Sequence, residues 1–351
     1  MKILKVVAVN LGLLLAVAVA AELIFGGWLG GPAYRTLNLP RNVARTFDVS
    51  TLYPGGGVIA YTRDEHGLRG RYADLSKIDV LTIGGSTTNQ LYVDDAKTWD
   101  AVLARLFAEA GRSRTVVNAG VDGQSTRGHI RVFDRWFPLI PGLKARYVLA
   151  YVGINDAYVD STIDSDTLEA ADPLRRLRHL FANHSVLYGV YDVARGMLRA
   201  DRANLIHGGG RVERKTWVDW GPASTPPPTT PAKAADIAAY EKRLTELVGR
   251  IRAFGAEPIL ATQPTALFRV RDGRVWVPRE PDGTLNPTAY ANIAPFNAIT
   301  RKVAAATGAI LLDVAAEVDF DEADFYDWIH SSPSGTAKIG RFMFEKLKDR
   351  I

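Results

Sequence analysis

The chain contains no cysteine among its 351 residues. That excludes disulfides, thiolate metal sites, a cysteine nucleophile and a lipidated cysteine, and it leaves the compartment open. Nucleotide-binding loops are missing too, because Gly84-Gly85 has the spacing of neither a dinucleotide fingerprint nor a P-loop. No basic-aromatic cluster or recognisable module points to nucleic acid, so none is expected as a partner. Internal repeats are absent. Charge is nearly balanced, with 43 Lys+Arg against 38 Asp+Glu and a net +5. The basic residues are scattered apart from Arg175, Arg176 and Arg178 beside His179. A mildly basic surface suits anionic membranes or polysaccharides, but solvated helix faces are the simpler explanation. What remains, 47% hydrophobic and 23% charged, is the composition of a globular protein long enough for a sizeable core, in one large domain or two small ones.

The N-terminus is the one long apolar segment. Lys2 and Lys5 precede a run from Val6 to Ala21 broken only by Asn10, and after Glu22 it continues through Leu23-Ile24-Phe25 to Trp28-Leu29. Two readings stay open. A cleaved signal peptide would use the small residues Ala18-Val19-Ala20. An uncleaved anchor, the favoured reading, would use most of residues 3 to 29, enough for the ~20 residues of a spanning helix. Glu22 is then tolerable near the interface, where Trp28 is also at home. Either way the rest of the chain is expected outside the cytoplasm: in the periplasm or beyond as a bacterial inner-membrane, single-pass protein, or secreted after cleavage. Residues 1–30 are thus read as anchor or signal peptide, 31–60 as tether and lead-in, and 61–351 as the main domain.

From Ile78 onward strands and helices alternate. Ile78–Ile83, Thr115–Val117, Arg146–Val152, Pro258–Thr262 and Ala309–Leu312 read as five buried strands. Between them Trp99, Val102, Leu103, Leu106 and Phe107 mark one helix, closed by Gly111. Ile130, Phe133, Trp136 and Phe137 mark a second. Further stripes run from Ile237 to Ile251, stopped by Gly255, and from Ile293 to Val303, ended by Gly308, and a last helix covers about Ser334 to Leu347. Such alternation predicts an α/β fold with a parallel sheet and helices on both faces, whose ligands bind at the carboxyl ends of the strands. An insertion of about residues 157–233 separates the third and fourth strands. Leu174 to Leu198 reads as an amphipathic helix and Pro222 to Pro231 as stiff linker. The insertion is either a cap over the site or a surface embellishment.

Four short pieces in fixed order carry the chemistry. Gly84-Gly85-Ser86-Thr87, Asn118-Ala119-Gly120-Val121-Asp122-Gly123 and Gly153-Ile154-Asn155-Asp156 each follow a predicted strand, and Asp327-Trp328-Ile329-His330 lies near the C-terminus. Two glycines at a strand end permit a tight turn that presents the Ser86 hydroxyl, although Ser86 would serve equally as a helix cap. A serine hydroxyl needs a base. Of six histidines, His330 is the best candidate, because Asp327 three residues earlier can hold its ring in a tight turn. Gly123 and the Ser86 backbone can each offer an N–H to an oxyanion, and Asn155 a side-chain amide. Taken singly, each of these pieces is also a common turn or cap.

These residues in this order resemble the SGNH hydrolases, the GDSL-type esterase and lipase superfamily, over most of the chain from about Ile78. The four letters correspond to Ser86, Gly123, Asn155 and His330. The resemblance implies a flavodoxin-like three-layer α/β/α sandwich with a five-stranded parallel sheet. It implies Ser86, His330 and Asp327 as catalytic triad, and Ser86, Gly123 and Asn155 as oxyanion hole, with no metal or cofactor. The family's first block usually has Asp before the serine and often Leu after it, where this chain has Gly85 and Thr87. The N-terminal anchor, the Tyr61-x-x-Asp-Glu-x-Gly-Leu-Arg lead-in and the insertion look like membrane-anchored bacterial members.

The expected function is a serine esterase acting on small-molecule or glycan O-acyl esters. An O-acyltransferase acting on a cell-surface polysaccharide would use the same acyl-enzyme. A non-catalytic, membrane-tethered binding protein on a hydrolase fold is the third reading. Tyr151, Tyr158, Trp217 and Trp220 can each stack on a sugar or simply fill the core. Acyl length, acceptor and oligomeric state are not legible.

Overall fold

The computed structural model describes residues 2–26, 28, 37, 39–158, 166, 177, 181, 185–188, 216–223, 230–280 and 282–351. Most of the expected insertion, including the predicted helix from Leu174 and the linker after Pro222, lies outside the described residues. The chain forms two compact units, one of Met1–Asn38 with Leu168–Ile206 and the other of Leu39–Thr167 with His207–Ile351.

In the first unit, α1 (Lys2–Phe25) is a single continuous helix. Its stretch Lys5–Phe25 has a mean hydropathy of 2.3 and is long and apolar enough to cross a membrane. The one acid within that stretch is fully engaged. Glu22 accepts hydrogen bonds from Trp28 Nε1 at 2.7 Å, Ser185 Oγ at 2.6 Å and the backbone N–H groups of Val186 and Leu187 at 3.2 and 3.1 Å. A carboxylate with four donors costs far less in apolar surroundings than a bare one.

The second unit begins with a hairpin, β1 (Val43–Asp48) and β2 (Val58–Arg63), where the sequence suggests a tether. The signal was an alternation in β2, which buries Ile59, Tyr61 and Arg63 and exposes Val58, Ala60 and Thr62. Polar residues at both kinds of position mask it. Next come β3 (Arg69–Gly70), β4 (Ile78–Gly84), the one-turn helix α2 (Ser86–Asn89), α3 (Trp99–Glu109), β5 (Val116–Asn118), α4 (Thr126–Arg135), β6 (Ala145–Tyr151) and α5 (Ile154–Tyr158). The insertion ends with β7 (Trp217–Pro222), and there follow α6 (Pro231–Ala253), β8 (Glu257–Ala261), β9 (Arg269–Arg271), β10 (Arg274–Pro278), α7 (Thr288–Thr307), β11 (Ile310–Leu312), α8 (Val314–Glu317) and α9 (Pro333–Leu347).

The central sheet has the order β11-β8-β6-β4-β5-β3. Its first five strands are parallel, as expected, and β3 adds a short antiparallel edge that the sequence does not reveal. Two residues are too few to show periodicity. On one face Val80, Tyr147, Leu149 and Ile259 pack with Trp99, Leu103 and Phe107 of α3 and Ile339, Met343 and Leu347 of α9. On the other, α6 packs with α4 and α7 and against β8. The result is the three-layer sandwich. A separate small sheet, β7-β10-β9, is built from the return of the insertion and the segment after β8.

Candidate functional site

Ser86 opens α2 directly after β4, with Gly85 as the capping residue. The lead-in grips the far end of this single turn. Tyr61 Oη donates to Asn89 Oδ1 at 3.0 Å, and buried Arg63 donates to the same oxygen at 2.6 Å. Buried Arg69 donates to the carbonyls of Asn89, Gln90 and Val93 at 2.5, 3.0 and 2.6 Å and pairs with Asp95 at 2.7 Å. A one-turn helix is not stable alone; here two guanidinium groups hold it.

His330 reaches Ser86 from the loop before α9. Its Nε2 lies 2.7 Å from Ser86 Oγ and its Nδ1 2.6 Å from Asp327 Oδ2. The other Asp327 oxygen accepts the backbone N–H groups of Ile329 at 2.9 Å and His330 at 2.7 Å. One carboxylate thus both closes the turn and holds the ring. Asp327 and His330 are buried, while Ser86 is only half-buried and open to a substrate. Behind the imidazole, Tyr326 stacks nearly parallel, with ring centres 5.5 Å apart and planes at 9°. Tyr53 and Tyr92 back it in turn, at 6.0 and 6.4 Å. Burial first, and then the Asp327 charge, push the Tyr326 phenol well up, so it stays neutral.

The oxyanion candidates gather at the same strand ends. Gly123 has φ +75°, a left-handed turn that glycine adopts without strain. Asn155 donates from Nδ2 to the Gln124 carbonyl at 2.7 Å, which leaves its second N–H for another acceptor. A Cβ on Gly85 would lie 2.3 Å from that Nδ2, so the amide sits against the serine's turn. Asn118 joins the first two blocks, donating to Thr88 O at 2.6 Å and accepting from Gly120 N at 2.8 Å. All five residues singled out in the sequence, Ser86, Gly123, Asn155, Asp327 and His330, gather at the carboxyl ends of the central strands.

Sequence reasoning assigned no role to the residues behind them. Asp156 accepts from Thr126 N, Thr126 Oγ1 and Arg243, and Asp166 accepts from Ser125 N, Ser125 Oγ and Gly128 N, so both fix the start of α4. Burial raises the Asp156 carboxyl, opposed by its Thr126 hydrogen bonds and Arg243. Gln263 follows β8 at its carboxyl end, a position that does signal a site, though its role has no sequence signature. Of the aromatics flagged above, Tyr151 is buried, Trp217 donates to Glu322, and Trp220 packs on Tyr290, whereas Tyr158 is exposed. Among the described residues no group of His, Asp and Glu could hold a metal.

A model of the GDSL-like Lipase/Acylhydrolase family matches residues 82–338. No curated protein matches the chain. Among solved structures it is similar to TesA, at 17% identity and a TM-score of 0.44 over 78% of this chain and 99% of that one. It is also similar to LAE5, an alpha/beta hydrolase enzyme from the metagenome of Lake Arreo, Spain, at 20% identity and 0.42 over 78% and 98%. A variant of the acetyl xylan esterase Axe2 from Geobacillus stearothermophilus aligns at 15% identity and 0.42 over 79% and 98%.

One buried base beside the site predicts acid sensitivity. Burial holds the His129 imidazole down at about 3, from 6.5, with a hydrogen bond to the Gln124 backbone pulling the other way. In the unfolded chain the ring titrates normally, so below pH 6.5 unfolding takes up a proton and stability falls as pH falls. Urea denaturation at pH 7 and pH 5 should show the parent losing stability and His129→Gln losing distinctly less of it. Identical losses would remove His129 as a cause.

Proposed function

The chain belongs to the GDSL-like lipase/acylhydrolase family and is a hydrolase of ester bonds, and from that premise we propose that it works as a serine esterase with Ser86 as nucleophile, His330 as general base and Asp327 as the orienting carboxylate. The observation that supports this most is the continuous path Asp327–His330–Ser86, with links of 2.6 and 2.7 Å. His330 Nε2 takes the Ser86 proton as Oγ attacks the ester carbonyl. The N–H groups of Ser86 and Gly123 and the Asn155 amide receive the oxyanion. The alcohol leaves with the proton from His330, and water, activated by the same ring, releases the acid from the acyl-enzyme. A fluorophosphonate probe should label the parent and neither Ser86→Ala nor His330→Ala, with activity lowered by several orders of magnitude in both. Labelling that survives Ser86→Ala would place the nucleophile elsewhere.

The alcohol side of the substrate is assigned to a sugar. A cavity of about 360 Å³ is lined by Tyr158, Trp328, Asn286, Thr288 and Asn292 together with apolar Leu267, Pro278 and Ala289. Tyr158 ends the helix that carries Asn155, and Trp328 lies between Asp327 and His330 in the chain. Their rings meet edge to face at 4.9 Å. Aromatic faces with a few amides and hydroxyls suit a polyhydroxylated ring. Tyr158→Ala should lower kcat/KM for glucose pentaacetate by about tenfold while leaving vinyl acetate within about twofold. Equal losses on both would sink the sugar assignment. Transfer to a sugar hydroxyl passes through the same acyl-enzyme, and following product partition with a glycan acceptor present separates it from hydrolysis.

We place α1 in a membrane, with the catalytic unit outside the cytoplasm. Its apolar length and the four-donor satisfaction of Glu22 support this. An anchored protein stays in the pellet after alkaline carbonate extraction and retains its N-terminal residues. A soluble product starting after Ala20 would mean a cleaved signal peptide instead.

A further inference from the structure

Gln263 is bonded to the segments on either side of the reacting centre. It is buried at 2% exposure, two residues beyond β8. Its Nε2 donates to Thr87 Oγ1 at 2.9 Å and to the Tyr151 carbonyl at 2.8 Å. Its Oε1 accepts the Ile154 N–H at 2.7 Å. The side chain therefore uses both amide donors and its acceptor, on the residue after Ser86, the last residue of β6 and the residue before Asn155. Its own backbone is held in turn, because Gln263 N donates to Asn297 Oδ1 at 2.9 Å and Asn297 Nδ2 donates to Gln263 O at 3.0 Å. Asn297 lies on α7, so the chain of bonds runs from a long helix to the serine's turn.

Resting on the serine-esterase reading above, we propose that Gln263 is a positioning residue that sets the distance between the Ser86 hydroxyl and the Asn155 amide. The nucleophile and an oxyanion donor stand on separate strand ends, and the two must agree within a fraction of an ångström for the oxyanion to meet both. The ladder between β4 and β6 ends at Gly84 and Tyr151. Beyond it the two turns are bridged by Gln263 and by the packing of Asn155 on Gly85. Thr87 gives the clamp its specificity for this chain. It stands where the family pattern often has leucine, which offers no acceptor, whereas the Thr87 hydroxyl takes the Gln263 hydrogen bond. A glutamate at 263 would keep the shape and the acceptor for Ile154 but lose both donors, setting a carboxylate against the Tyr151 carbonyl.

The test uses the full chain with vinyl acetate and the fluorophosphonate probe. Gln263→Glu should lower kcat by about ten- to a hundredfold, with KM within about threefold, and slow probe labelling by the same factor. Thr87→Val, which removes a single acceptor, should give a smaller loss of the same kind. The double variant should be no worse than Gln263→Glu alone, because both changes break the same bond. Thermal unfolding of each variant gives the folded fraction, to which rates are referred. Parental labelling by folded Gln263→Glu would overturn the proposal, as would additive losses or a change confined to KM. A folded parent that the probe does not label would overturn the serine reading and the clamp together, whereas a labelled parent with an indifferent Gln263→Glu would overturn the clamp alone.

Discussion

In the parallel ladder between β4 and β6, Thr82 pairs with Leu149, Ile83 with Ala150 and Gly84 with Tyr151. The remaining geometry depends on that register. With the strands ending side by side, the first residue beyond one turn is Ser86 and the corresponding amide beyond the other is Asn155. A slip of one residue would carry every side chain of β4 to the opposite face, which the packing of Val80 and Leu149 on α3 and α9 forbids. The core thus fixes which atoms meet at the strand ends before any polar contact forms there.

The polar contacts then remove the slack left by turns. Most of them are buried, and a buried donor or acceptor left alone costs about 1–3 kcal/mol, while each bond made returns only about 0.5–1.5 kcal/mol. Such a network contributes less to stability than to uniqueness, since partial arrangements are penalised. Arg63 and Arg69 hold the end of α2, Asn118 ties α2 to β5, and Asp156 and Asp166 tie α4 to its surroundings. His330 is fixed on three sides by Asp327, Ser86 and the Tyr326 ring. The neutral phenol can support the imidazole whatever charge the ring carries.

The five parallel strands, the longer helices between them and the four motifs are legible in the sequence because their signals are local. A β-branched run, a helical stripe and a glycine at a turn each lie within about a dozen residues. Asp327 and His330 are legible for the same reason, as partners three residues apart. What escapes is what depends on distant partners. Arg63 meets Asn89 across 26 residues, and Gln263 meets Thr87 across 176. Nothing near either residue distinguishes it from a surface arginine or a loop glutamine. The hairpin of β1 and β2 escapes because Arg63 is buried where alternation would ask for an apolar residue, and its burial makes sense only once the Asn89 oxygen is in place.

The two departures from the family's first block have physical reasons in this fold. With Asn155 Nδ2 where it stands, any side chain at position 85 would put its Cβ 2.3 Å from that atom, far inside contact distance. Gly85 is therefore the residue that lets the amide lie against the serine's turn. Thr87 in turn provides the oxygen to which Gln263 Nε2 donates. Each substitution weakens the literal motif, and each is matched by a neighbour that closes the space or takes up the hydrogen bond. The block and its surroundings have thus to be read as a unit: Gly85 with Asn155, Thr87 with Gln263. An aspartate at 85 alone would require Asn155 Nδ2 to shift away from the turn, and a leucine at 87 alone would leave a buried amide N–H without its acceptor, so each of the two positions is tied to its neighbour.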